Sequence, residues 1–76
     1  MKCQIAIPGI CRGEATHKHH RKLRKHGGTD EAANLLALCG TGTLGCHGYV
    51  HANPAISYER GWLVHSWDDP KEVPVT

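Results

Sequence analysis

Residues 39–51, Cys-Gly-Thr-Gly-Thr-Leu-Gly-Cys-His-Gly-Tyr-Val-His, decide how this chain folds. Cys39 and Cys46 bracket a glycine-rich reversal, Gly40 to Gly45, and the segment from Cys46 has the length of about two helical turns. On a helix residues i and i+4 share one face, so His47 and His51 can point at the same cation. Upstream, Cys3 and Cys11 bracket a second turn marked by Pro8-Gly9,. Two such knuckles bring four thiolates, Cys3, Cys11, Cys39 and Cys46, onto one tetrahedral zinc, a closed structural site. Neither spacing is the short C-x2-4-C of common zinc fingers, so the weight lies on the paired arrangement about two turns.

A staple of this kind suits the rest of the composition. The chain has 76 residues, no Phe, two Trp and nine Gly. A chain this short buries only about 60% of its unfolded surface. Crude accounting of burial against ordering entropy then comes out near zero, and such folds recruit disulfides or a metal. The opening "MKCQIAIPGIC" has no long apolar run of the kind that directs export, and no segment approaches the roughly eighteen apolar residues of a membrane span. The expectation is one cytoplasmic domain over residues 1–76 with reduced thiols that bind metal and no membrane contact.

The pattern along the chain predicts an α+β fold. "ATHKHH" reads as a strand. "NLLALC" is an apolar run of strand length, although periodicity alone does not separate it from a buried helical turn. The helix from Cys46 ends at Asn53-Pro54, because the residue before proline is steered from helical geometry. Pro54 opens a second helix, "PAISYER", with Gly61 as its C-terminal cap. "GWLVHSW" reads as a final strand, and residues 68–76 as an extended or mobile tail.

"HKHHRKLRKHGG", His17 to Gly28, packs four of the seven histidines and five of the nine Lys/Arg residues into one stretch. Net charge is only +2, so the signal lies in the local block of Lys18, Arg21, Lys22, Arg24 and Lys25. His19 and His20 are adjacent and in a strand face opposite ways. One of them can bind an ion shared with His47 and His51, while the other, displaced by a bend, holds a water beside it. His17, His26 and His65 read as surface or hydrogen-bonding histidines. Trp62 and Trp67 read as core or edge packing, with base stacking as the alternative.

Two rival motifs fail on chemistry. His47-x3-His51 has zinc-peptidase spacing, but Gly48 stands where the general-base glutamate would be. "GTGTLG" formally satisfies a dinucleotide glycine fingerprint, yet the chain is too short for that fold and cysteines flank the run.

Taken together, "HHR", "NLLALC", "GCHGYVH" and "GWLV" resemble the small HNH endonucleases of bacteriophages and prophages, over Cys3 to about Trp67. The resemblance implies a ββα-metal (His-Me finger) fold with cysteines holding a structural zinc. By position, His19 stands at the first metal ligand, often aspartate in that family, and His20 at the general base. Asn34 is the middle letter of the motif, fixing the loop between the strands and helping to orient the base. His47 matches the last letter and a metal ligand, and His51 an extra ligand present in some members.

The implied function is metal-dependent hydrolysis of DNA phosphodiester bonds. A free imidazole, with an ordinary pKa of about 6.5, can take a proton from water at neutral pH, and the general-base role would fall to His20. Arg21 and Arg24 would clamp phosphates through guanidinium forks, and Lys18, Lys22 and Lys25 would add attraction without sequence information. A neutral three-histidine set favours Mn, Ni, Co or Zn over Mg. Two readings stand beside this one: a zinc-stapled nucleic-acid-binding module without catalysis, and an accessory of phage packaging whose partners are terminase or portal components.

Overall fold

A computed structural model describes residues 1–76. Strand β1 (His17–His20) pairs antiparallel with β2 (Leu35–Leu38), in the register His17 to Leu38, Lys18 to Ala37, His19 to Leu36 and His20 to Leu35. Helices α1 (Gly45–Ala52) and α2 (Pro54–Glu59) follow, and single 3-10 turns occupy Arg24–His26, Ala32–Asn34 and Pro70–Glu72. The class is α+β, with one two-stranded sheet and two helices. No helix is long and apolar enough to cross a membrane.

Pairing settles what periodicity left open. Directly opposed residues of an antiparallel pair lie on one face, so His17, His19, Leu36 and Leu38 share a face. It packs on α1, where the His17 and His19 rings meet His47. The core joins Leu36 and Leu38 to Cys3, Cys39, Cys46, Val50, Trp62 and Leu63. Three of its eight members are cysteines, so candidate metal ligands and core packing share residues.

Glycines permit the tight entry to α1. A Cβ on Gly40, at φ +82°, would lie 2.0 Å from the Leu44 carbonyl oxygen, and one on Gly48 would lie 2.4 Å from the Thr43 carbonyl carbon. Steric exclusion therefore accounts for Gly48 where a peptidase glutamate would be. Pro54 opens α2 as read, and Gly61, at φ +78°, follows the helix in the left-handed conformation with its N–H bonded to the Tyr58 carbonyl,. Buried Ser57 ties the helices together, its single hydroxyl proton shared between the carbonyls of Val50 and Asn53 at 2.9 and 2.7 Å.

Two expectations fail. Residues 61–67 form no strand. The N–H groups of Trp62 and Leu63 are taken by the Ser57 carbonyl and that of Val64 by the Arg21 carbonyl, so the segment packs as irregular chain with Trp62, Leu63 and Val64 buried. Nor does the end of the chain run free. Asp69 caps the turn at Pro70–Glu72, Thr76 N–H bonds to the Arg60 carbonyl, and the carbonyls of Pro70 and Val73 accept from Arg21.

Candidate metal centres

Four sulfur atoms gather where the N-terminal turn meets the start of α1. Cys11 is held by its N–H to the Ile7 carbonyl and Cys3 by its N–H to the Gly13 carbonyl, while Cys39 directly follows β2 and Cys46 lies in the first turn of α1. All four thiols are free, and their sulfurs lie within 4.8 Å of one another. The Cys11 and Cys39 sulfurs are 3.9 Å apart. That is too long for a disulfide, and it matches the roughly 3.8 Å edge of a tetrahedron with metal–sulfur bonds of about 2.3 Å.

The electrostatics agree with a cation at this place. Backbone N–H groups of Arg12 and Cys46 donate to Cys39 Sγ, and that of Gly13 to Cys11 Sγ. Burial pushes the Cys39 thiol up, but the Arg12 and Cys46 amides together with the Cys46 and Cys3 thiols more than offset this and bring it down to about 6. Burial pushes Cys46 well above the ordinary thiol range, with Cys39 and Cys3 adding to the rise. Four such sulfurs cannot all ionise beside one another without a positive charge between them, and a divalent ion supplies it. The residues present fit a structural ion such as zinc.

A second cluster joins β1 to α1. The ligand-capable nitrogens of His19, His47 and His51 lie within 4.8 Å of one another, with ring centroids 4.9–5.4 Å apart. His19 is buried and His51 exposed, so the cluster opens to solvent on one side. His19 Nε2 lies 2.8 Å from the Trp62 carbonyl oxygen. A carbonyl only accepts, so Nε2 carries the proton and Nδ1 keeps its lone pair. A metal-binding histidine commonly makes this outer bond. Burial lowers His19 to about 4, against the pull of the Trp62 carbonyl, and His47, His51 and His20 lower it further. His47 is also lowered, first by burial and then by His51 and His17.

His47 Nδ1 is buried with no hydrogen-bond partner. An orphaned imidazole nitrogen among neutral imidazoles is what a bound cation would satisfy, so these residues too fit an ion. His17 borders the cluster, 5.5 Å from the His47 ring, but its Nδ1 bonds to the Gly40 carbonyl.

His20 stands outside this ligand set. Its Nε2 is 2.7 Å from Asp30 Oδ1, and Arg24 Nη2 reaches both oxygens of that carboxylate, at 2.9 and 3.2 Å. The His20 bond and then the Arg24 charge hold Asp30 below the usual carboxylate range. With Nε2–H donated to Asp30, Nδ1 is the basic nitrogen of His20. Nothing in the sequence singles out Asp30, which reaches His20 only because residues 21–34 loop back. Asn34, expected to help orient the base, does not touch it. Its buried side chain accepts from Lys22 N–H and donates to the carbonyls of Lys22 and Thr29, fixing the loop.

The basic block divides once it is folded. Arg21 is 4% exposed and donates to the carbonyls of Gly61, Ala33, Pro70 and Val73, so it has no face for a phosphate. The reason is local: four backbone acceptors converge on one planar five-donor group. Lys22 Nζ bonds to the Asp68 carbonyl and Arg24 pairs with Asp30, whereas Lys18 and Lys25 are exposed. Trp62 packs in the core, whereas Trp67 is 76% exposed and packs only at the edge, against His65. Comparison with family models, with curated proteins and with solved structures gives no match to this chain.

Proposed function

We propose that the chain is a metal-dependent DNA endonuclease of ββα-metal architecture, stapled by zinc at Cys3, Cys11, Cys39 and Cys46. The observation that carries the reading is the convergence of His19, His47 and His51, with a free lone pair on His19, an orphaned nitrogen on His47 and solvent on one side. These three would hold a divalent ion. Such an ion supplies Lewis-acid stabilisation of the negative charge that develops as a phosphodiester is cut.

His20 takes the proton of the attacking water at Nδ1. The Asp30 carboxylate fixes the ring and stabilises the imidazolium that results, and Arg24 anchors that carboxylate,. Asn34 acts indirectly, by holding the loop that carries Asp30. Lys18 and Lys25 draw the phosphate backbone in, a contribution that weakens with salt. Three neutral nitrogen ligands favour Mn, Ni, Co or Zn over the oxygen-seeking Mg.

Plasmid cleavage with a panel of divalent ions tests this, comparing wild type with His20→Ala, His47→Ala and Asp30→Asn. Mn or Ni should support cutting at least as well as Mg. Loss of the general base should cost about 10²- to 10⁴-fold, and Asp30→Asn should cost less. Equal cutting by all four proteins, or a strict Mg requirement, refutes the assignment. DNA binding without cutting under every ion would favour the zinc-stapled binding module, and capture of a terminase or portal component by such a protein would favour the packaging role.

A further inference from the structure

Three rings, one of them from α2, lie in a column that the proposed chemistry does not use. Tyr58 and His65 are stacked with centroids 3.7 Å apart and planes within 1°, and His65 and Trp67 at 4.4 Å and 6°. The other pairing of a tyrosine with a large ring, Tyr49 on Trp62, is edge to face at 71°. Trp67 ends the column and is 76% exposed, so the indole buries little surface within its own chain. Its ring also borders a pocket of about 360 Å³. Only two of the twelve lining residues are hydrophobic; Thr29 and Asn34 are among the polar ones, and the charged ones are Lys22, Lys71, Glu31, Asp68 and Asp69.

We propose that the Tyr58–His65–Trp67 column is a stacking platform for an unpaired nucleobase, which lies on the open face of Trp67 with its edge toward the polar pocket. The inference rests on the reading that the substrate is nucleic acid. A π-face is what every base can use, and in a duplex both faces of a base are already covered, so only an unstacked base can take this place. An apolar side chain from a protein partner would find the neighbouring pocket polar. The pocket also reaches the loop that carries Asp30. Its lining includes Thr29 and Glu31, the two neighbours of the Asp30 that holds His20. A splayed base seated on Trp67 would direct the enzyme to single-stranded, gapped or distorted DNA.

The two tryptophans make the test direct, because Trp62 is buried and Trp67 exposed. Zinc-loaded protein without further divalent ion is titrated with single-stranded DNA, single-stranded RNA and a blunt duplex of equal length, following tryptophan emission and oligonucleotide anisotropy. Single strands should quench wild-type emission. Trp67→Leu should weaken their binding about tenfold and leave duplex affinity within about twofold, and Trp67→Tyr should restore most of the loss. Unchanged Trp62 emission in the variants reports an intact fold. Single-strand binding by Trp67→Leu equal to wild type, or saturation without quenching, overturns the platform. If those results accompany normal cutting of duplex by wild type, the platform alone falls. Quenching and the Trp67→Leu loss in a protein that cuts nothing would support the platform and refute the nuclease.

Discussion

Replacing Arg21 by alanine separates a structural guanidinium from a phosphate clamp. Its four acceptors are charge-assisted partners, worth roughly 1.5–3 kcal/mol each. The Pro70 and Val73 carbonyls can regain water if the tail lifts, so the durable loss is counted over Gly61 and Ala33, about 3–6 kcal/mol,. Against the 5–15 kcal/mol typical of a whole domain this is large. At about 4–8 °C per kcal/mol for a chain of this size, the melting temperature of the zinc-loaded protein should drop by at least about 12 °C. Lysine at this position should recover less than half of the loss, because one ammonium cannot span acceptors contributed by three segments. The assay is urea and thermal unfolding with zinc in excess, alongside the salt dependence of DNA binding. A stability within about 1 kcal/mol of wild type, with a salt slope reduced by about one, would show that Arg21 faces phosphate and that its burial has been misread.

Stripping the cysteine site with a strong chelator should unfold the chain, since apparent structural-zinc free energies of about 10–16 kcal/mol rival the whole stability of a small domain. One tightly held metal per chain, lost in Cys39→Ser, is the expected elemental analysis, and a chelated chain with native near-UV circular dichroism would contradict it. Stability should also fall with acidity through His19. Its folded value, about 4, lies below the ordinary 6.5, so the unfolded chain binds the proton first. The contribution is complete above pH 6.5 and lost progressively as pH falls toward 4, amounting to about 3 kcal/mol. Unfolding of wild type and His19→Gln carrying a single zinc per chain at the cysteine site, with the histidine cluster left metal-free, checks the sign over this range, and parallel curves would refute it.

What could be read locally was a matter of backbone geometry. His47 and His51 share a face because 3.6 residues make a helical turn, and Pro54 and Gly61 bound α2 because their φ preferences hold in any context,. Two cysteine pairs, each spanning a turn, were enough to predict the four-sulfur cluster. Where reading failed, the deciding partner was distant. "GWLVHSW" carries strand-like residues, but a strand exists only where a neighbour offers its edge, and Ser57 and Arg21 had already taken its amides. Asp30 meets His20 through the long connection between the strands, a path that no spacing rule anticipates.

The amino-acid order alone determined an α+β chain with two helices, a thiol cluster fit for a metal, and imidazoles spaced to share one helix face. Tertiary structure alone decided that Arg21 is internal while Lys18 and Lys25 meet solvent, that the His19 ring is fixed by the carbonyl of Trp62, and that Trp67 is left uncovered. Periodicity follows from bonds between near neighbours, which the sequence specifies directly. Burial and hydrogen-bond partnership depend on which remote segments close over a residue, and for Arg21 and His19 those segments lie 12 to 52 residues away.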